Sequence, residues 1–153
     1  QGFEFGWKST KNKGYGHWNR IFAGPEMLNR DEVIDDLCPP VRALWDHMAE
    51  NYAAGSTVIR AYANAYTYGT EGYIHYDSTI ASDVTFLLYL TPDWRRDWAG
   101  ETIFFDGDEI VRAVLPKYNR LIVFPSSMDH VARSVSRICP NERVIFTFKV
   151  KTE

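Results

Sequence analysis

The stretch Thr57-Val58-Ile59-Arg60-Ala61-Tyr62-Ala63-Asn64-Ala65-Tyr66 is where the pattern of this chain changes. It follows Gly55 and is rich in β-branched and aromatic residues, which suit a pleated, half-buried surface. It predicts a strand, and the same signals recur downstream. Gly69-Thr70-Glu71-Gly72 reads as a turn, and residues 73–76 as a strand after it. Residues 84–90 form a short apolar run that ends at Thr91-Pro92. Further strands are predicted over residues 102–105, 110–115, 121–124, 131–135 and 143–150, separated by Gly, Pro and Asn/Asp. About eight strands at this spacing leave no room for βαβ crossovers. The expected fold is mainly β: an antiparallel double-sheet jelly roll, or double-stranded β-helix, with N-terminal helices packed on one sheet.

Upstream, residues 30–53 read as helical. Asp31 suits an N-cap, with Glu32, Asp35 and Asp36 near the positive helix end. Pro39 and Pro40 interrupt that helix, and Pro in a first turn lets a second one start there. Val41, Leu44, Trp45, Met48 and Tyr52 then recur at helical period and predict one apolar face. Residues 1–30 carry Gly2, Gly6, Gly14, Gly16 and Gly24, with Lys8, Lys11 and Lys13 between aromatics. They read as a loop-rich lead-in with room for one short strand.

The chain has 153 residues, so residues 1–153 are expected to form a single domain: lead-in, helices over 31–53, and a core over 57–150. Its net charge of −3 argues against a nucleic-acid partner. No apolar run is long enough to span a membrane. The two cysteines, Cys38 and Cys139, are too few for a disulfide scaffold and form no zinc-type spacing. A reducing, cytoplasmic setting is expected, with one optional bridge left open. Gln1-Gly2-Phe3-Glu4 does not read as a signal peptide, and the missing initiator Met suggests a trimmed or excerpted chain. Aromatic content is high, with 5 Trp, 9 Tyr and 9 Phe, residues that also line pockets.

The chemistry begins at His75-Tyr76-Asp77. On a strand, positions 75 and 77 project to the same side. An imidazole and a carboxylate side by side suit a first-row metal. The other histidines are His17, in the lead-in, His47, in the helix, and His130, which opens a predicted strand. His130 is the best third ligand. Two His and one carboxylate with other positions open form the facial triad of non-heme Fe(II) oxygenases. A 2-oxo acid with a distal carboxylate would also need a cation, and Arg offers a planar two-point donor. Arg143 opens the last strand, Thr147 lies on the same strand face, and Tyr89 offers a phenol. Taken singly, each of these three also reads as ordinary strand or surface composition.

Six segments in order carry a resemblance. Residues 65–77, AYTYGTEGYIHYD, are similar to the first metal-binding strand of prolyl-4-hydroxylase-type Fe(II)/2-oxoglutarate oxygenases. Residues 84–94, VTFLLYLTPDW, resemble their next strand, and Ala99-Gly100-Glu101-Thr102 the turn after it. Residues 116–124, PKYNRLIVF, then His130-Val131, then Arg143-Val144-Ile145-Phe146-Thr147 resemble the segments that follow. The resemblance implies that His75, Asp77 and His130 bind Fe(II). It implies that Arg143 pairs with the distal carboxylate of 2-oxoglutarate, helped by Tyr89 and Thr147, with Tyr66 near the metal end of that co-substrate. The spacing from His130 to Arg143 is longer than usual for the family. Arg137 is the nearer cation, but it lies in the strand that starts with the metal ligand, and residues 138–142 read as a lengthened turn, so Arg143 is preferred.

The implied activity is a dioxygenase that hydroxylates an unactivated C–H of a small molecule or a peptidyl residue. It would consume 2-oxoglutarate and O2, release succinate and CO2, and be stimulated by ascorbate. Relatives that halogenate lack the carboxylate that Asp77 supplies. The lead-in (Trp7, Lys8, Trp18, Arg20) and residues 93–99 (Trp94, Arg95, Arg96, Trp98) either border the site mouth or cap the core. Two other readings compete. A non-redox, cupin-like metal protein or sugar isomerase explains the ligands but leaves Arg143, Tyr89 and Thr147 as coincidence. A hydrolase using Ser126 or Ser127 with His130 lacks the glycine pattern of a nucleophile elbow.

Overall fold

The computed structural model describes residues 2–8, 14, 16–24 and 36–152. Two strands, β1 (Glu4–Trp7) and β2 (His17–Ala23), precede a helix, α1 (Pro39–Tyr52). Seven more follow: β3 (Thr57–Tyr66), β4 (Asp83–Tyr89), β5 (Thr102–Asp106), β6 (Glu109–Val114), β7 (Leu121–Pro125), β8 (His130–Ala132) and β9 (Arg143–Lys151). The larger sheet has the order β1-β2-β3-β9-β4-β7 and the smaller one β6-β5-β8. The named strand pairs are antiparallel. This is the expected jelly roll with a helix on one sheet.

Three expectations need correction. The lead-in holds two strands, because β1 and β2 extend the larger sheet from the β3 edge. Residues 73–76 are not a strand. His75 makes a single bridge to His130, and the neighbouring backbone turns to satisfy loop carbonyls instead. Tyr52 leaves the apolar helix face and is exposed. The earlier helix expected from Asp31 falls mostly on residues outside those described.

Strand alternation divides the larger sheet into two faces. Ala61 and Ala63 of β3, Phe86 and Leu88 of β4, and Phe146, Phe148 and Val150 of β9 point to α1. There they meet Val41, Trp45 and Met48, which recur at helical spacing after the Pro39-Pro40 start. The Trp45 ring lies 5.3 Å from Phe148 and 5.8 Å, edge-on, from Phe86. Trp45→Ala should therefore cost about 3–5 kcal/mol of stability, read from a urea transition. A loss below about 1 kcal/mol would mean that the helix is not packed on this core.

The opposite face looks into the jelly roll. Tyr66, Leu87, Tyr89 and Ile145 pack there against Phe104, Val114 and Ala132 of the smaller sheet. The interior is apolar at that seam, but further along the sheet it turns polar. Arg60, Tyr62, Asn64 and Tyr66 of β3 share the inner face with Thr147 and Lys149 of β9. A bulge between Val58 and Arg60 resets the alternation. Val58 accordingly packs toward α1 while Arg60 turns inward, opposite Lys149.

Candidate active site

The inner face borders a cavity of about 160 Å³, and His75, Asp77 and His130 line it. Their ligand atoms all lie within 4.8 Å of one another. His75 Nε2 is 3.4 Å from Asp77 Oδ1, and His130 Nε2 is 3.7 Å from Asp77 Oδ2. The backbone builds this cluster. His75 and His130 exchange N–H···O bonds of 3.1 and 2.9 Å, and the Asp77 N–H donates to the Ser126 carbonyl at 2.7 Å. The loop is thus pinned across the start of β8 without being a strand itself.

Each imidazole is oriented from behind. His75 Nδ1 donates to the Tyr73 carbonyl at 2.7 Å, and His130 Nδ1 to the Met128 carbonyl at 2.9 Å. Because a carbonyl only accepts, both Nε2 lone pairs are left for the cavity. Burial lowers the pKa of both rings, that of His130 to about 4. Neutral imidazoles and a carboxylate are the protonation states that bind a divalent metal.

Two residues that sequence reasoning missed, Lys149 and Thr85, hold the Asp77 carboxylate. Its Oδ2 pairs with Lys149 Nζ and accepts from Thr85 Oγ1 at 2.7 Å. The Thr85 hydroxyl is in turn 2.9 Å from Ser126 Oγ. Ser126 is thus a buried hydrogen-bonding partner of Thr85, and this contact is not the Ser–His pairing a hydrolase would use. Lys149 was legible, because it continues the Arg143, Ile145, Thr147 alternation. Burial lowers its pKa well below the usual lysine value, and the nearby Arg60 adds to that.

At the opposite end of β9, Arg143 is fully buried (0 % exposed). Its guanidinium lies 5.1 Å from the Tyr66 ring and 5.2 Å from the Tyr89 ring. Nη2 donates to Thr102 Oγ1 at 2.7 Å, and the Tyr89 hydroxyl bonds the same oxygen at 2.7 Å. Nε and Nη1 have no hydrogen-bond partner among the described residues. Buried guanidinium nitrogens without acceptors suit an anion such as a carboxylate. Thr102, Thr147 and Tyr66 line the cavity, whereas Arg143 and Tyr89 stand directly behind Thr102. Thr102 was also missed, although the turn that ends on it was singled out. Gly100 is required here: its φ is +78°, and an added Cβ would come within 3.1 Å of Arg143 Cδ. Arg137 is exposed.

His17 is the last missed residue. It is 1 % exposed, lines the cavity and stacks on Tyr66 at 4.6 Å. Neither ring nitrogen has a hydrogen-bond partner among the described residues. Burial lowers its pKa to about 4, with His75 contributing. Trp7 also lines the cavity, while Trp18 packs on Phe5 at the surface. Trp94 and Trp98 pack edge-to-face against each other at 5.4 Å, outside the cavity lining.

These buried neutral rings predict a pH dependence. In the unfolded chain His17 and His130 take up protons near pH 6.5; in the folded, metal-free protein they do so only near pH 4. Between those values the unfolded state binds more protons, so stability is full above pH 6.5 and falls toward pH 4. The expected loss is on the order of 3 kcal/mol for each ring. Urea transitions of metal-free protein across this range should show it, with a shallower slope for His17→Phe. Equal stability at both ends would contradict the buried, neutral state.

The sequence model of the 2OG-Fe(II) oxygenase superfamily matches residues 61–148, more than half of the chain. The chain belongs to this family, whose members use Fe(II), 2-oxoglutarate and O2. Prolyl 3-hydroxylase OGFOD1 of Mus musculus is 34% identical over 71 residues, covering 40% of this chain and 13% of that protein. The match thus spans only a small part of this relative's length. Among solved structures, an oxidoreductase of the 2OG-Fe(II) oxygenase family from Burkholderia pseudomallei superposes with a TM-score of 0.69 at 15% identity, over 97% of this chain and 72% of that one. A Trichoplax adhaerens prolyl hydroxylase, in complex with a hypoxia inducible factor fragment, gives 0.66 at 20% identity, over 97% and 70%. A Pseudomonas putida prolyl-4-hydroxylase gives 0.62 at 19% identity, over 90% and 70%. These three share the fold.

Proposed function

We propose that this chain catalyses Fe(II)- and 2-oxoglutarate-dependent hydroxylation of an unactivated C–H, in a small molecule or a peptidyl residue. Substrate, 2-oxoglutarate and O2 are converted to hydroxylated product, succinate and CO2, so the atoms balance without a further reductant. The observation that carries this reading is the pairing, within one interior, of the His75-Asp77-His130 cluster with the buried guanidinium of Arg143, two of whose nitrogens lack acceptors among the described residues. His75, Asp77 and His130 would hold the metal. When bound, Fe(II) supplies the redox chemistry that couples decarboxylation of the 2-oxo acid to C–H oxidation.

The chain's own residues position and shield. Tyr73 and Met128 carbonyls fix the two imidazoles, and Thr85 and Lys149 fix the carboxylate. Arg143, held by Thr102 beside Tyr66 and Tyr89, would take the distal carboxylate of 2-oxoglutarate, with Thr147 on the path between. The apolar seam of Leu87, Phe104 and Ile145 excludes water from that end. The prolyl 3-hydroxylase relative makes a prolyl ring the first substrate to test. We read the chain as one domain, and its two free cysteines support a cytoplasmic setting. No described helix is long and apolar enough to cross a membrane.

The deciding experiment is anaerobic titration of metal-free protein with Fe(II) and 2-oxoglutarate, read as the visible charge-transfer band of an iron-bound 2-oxo acid. A band that is lost in His75→Ala supports the assignment. Bound metal without a band would instead favour the non-redox, cupin-like reading.

A further inference from the structure

His17 has no part in the site as described so far, yet the fold builds it into the cavity. On one side it pairs with Trp7 of β1, and an added Cβ at Gly16 would come within 2.9 Å of the Trp7 carbonyl. On the other, Trp18 pairs with Ala65 of β3, which lays the His17 imidazole on the Tyr66 ring. The two rings stack at 4.6 Å with 25° between their planes. His17 is 1 % exposed and lines the same cavity as His75, Asp77 and His130. Neither of its nitrogens has a hydrogen-bond partner among the described residues. Asn64 is close enough to ease its protonation, yet the Asn64 Oδ1 accepts from Asn19 Nδ2 at 2.6 Å and bonds neither His17 nitrogen. A buried imidazole left this way has lost its hydration without compensation, and in a cavity wall it is poised for a ligand.

Its surroundings say which ligand. The Tyr66 ring that carries His17 also has the Arg143 guanidinium 5.1 Å from its centre. His75 and Arg143 both oppose protonation of His17. The ring thus lies beside the span from the metal cluster to the distal cation, the span that the co-substrate has to bridge. Arg143 serves the distal carboxylate. A 2-oxo acid that meets a metal through its 2-oxo group and one carboxylate oxygen leaves the second oxygen of that carboxylate free. Of the groups placed around the cluster, Lys149 and Thr85 are engaged by Asp77, and Nδ1 of His75 and of His130 faces a backbone carbonyl. His17 supplies a donor that is not otherwise committed. A neutral imidazole carries one N–H, and with no protein acceptor fixing the tautomer the proton sits on whichever nitrogen meets the ligand.

We infer that His17 donates a hydrogen bond to the metal-end carboxylate of 2-oxoglutarate, at the oxygen that the metal leaves free, and so sets the orientation of the co-substrate at its reacting end. The inference rests on the proposed function, because it takes the His75-Asp77-His130 cluster as the metal site and Arg143 as the partner of the distal carboxylate.

The test titrates metal-free protein anaerobically, first with Fe(II) and then with 2-oxoglutarate. It reads the affinity for each and the wavelength of the charge-transfer band at saturation. That band arises between the metal and the 2-oxo acid, so its wavelength senses hydrogen bonding at the metal end and not at the distal carboxylate. His17→Phe keeps a ring to stack on Tyr66 and removes both nitrogens. It should weaken 2-oxoglutarate binding by about tenfold or more, as expected for a hydrogen bond to a charged acceptor, and shift the band. Fe(II) affinity before 2-oxoglutarate is added should stay within about twofold, because His17 is not part of the ligand cluster, and this also shows the fold to be intact. His17→Gln and His17→Asn carry amide N–H groups in place of the two ring positions, and one of them should recover part of the affinity and of the wavelength. Arg143→Met is the control for the other end, with weaker binding at an unchanged wavelength. In His17→Phe, unchanged 2-oxoglutarate affinity overturns the inference and hands His17 to the primary substrate. Weaker binding with an unshifted band, a larger change in Fe(II) affinity, or no recovery in either amide variant overturns it as well. Absence of the band in the wild-type protein would instead be the failure of the proposed function, so the two outcomes are separable.

Discussion

Asp77→Ala is expected to remove coupled turnover altogether and to weaken Fe(II) binding by at least about a hundredfold. Asp77 is the one anionic member of the cluster and is positioned from three sides: by the Ser126 carbonyl on its N–H, and by Thr85 and Lys149 on Oδ2. Two neutral imidazoles alone hold a ferrous ion poorly, since carboxylate charge offsets the ion's own. The substitution also leaves Lys149 buried without its carboxylate, and breaking such a pair costs about 3–5 kcal/mol when the charge cannot relax. Asp77→Asn separates the effects: it keeps the shape and removes the charge. Metal binding by calorimetry and succinate release with a confirmed substrate are the readouts. Full coupled turnover in Asp77→Ala would sink the ligand assignment.

Arg143→Met is the second large effect, with an opposite signature in stability. 2-Oxoglutarate affinity should fall by about a hundredfold or more, the consequence of losing a desolvated charged partner. The metal-free protein, by contrast, should keep its stability or gain about 1–4 kcal/mol, because a buried guanidinium with Nε and Nη1 unbonded among the described residues is replaced by an apolar chain of similar length. Thr102→Val should give a smaller loss of affinity, since it removes the hydroxyl that Arg143 and Tyr89 share. Band titration against 2-oxoglutarate, together with urea transitions of the metal-free variants, checks both halves. Unchanged 2-oxoglutarate affinity in Arg143→Met would remove Arg143 from the co-substrate site.

Much of this was legible in the residues. Apolar and aromatic runs between Gly, Pro and Asn/Asp punctuation placed β3, β4, β5, β6, β7 and β9 near their observed positions. The helical period of Val41, Trp45 and Met48 placed α1. His75 and His130 were readable because the chain has only 4 histidines, and Asp77 because it stands two positions after His75. Where reading failed, local period was overruled. Residues 73–76 look like a strand, yet their segment is held by the carbonyl of His130, at the start of β8, and by that of Ser126 on the loop before it. The lead-in looks like a loop because glycines interrupt it, yet the open edge of β3 supplies β2 with a hydrogen-bonding partner.

Sequence by itself determined the class of fold and singled out His75, Asp77, His130 and Arg143 as candidates, through the H-x-D spacing, the ordered resemblance of six segments and short-range period. Tertiary structure alone decided what surrounds them. Asp77 and Lys149 are 72 positions apart in the chain, and only the β3–β9–β4 pairing brings them into contact. His17 reaches the cavity because β2 adds to the sheet beside Tyr66. Arg60 faces inward because one bulge changes the parity of β3, and parity set by a single extra residue leaves no mark in composition or period.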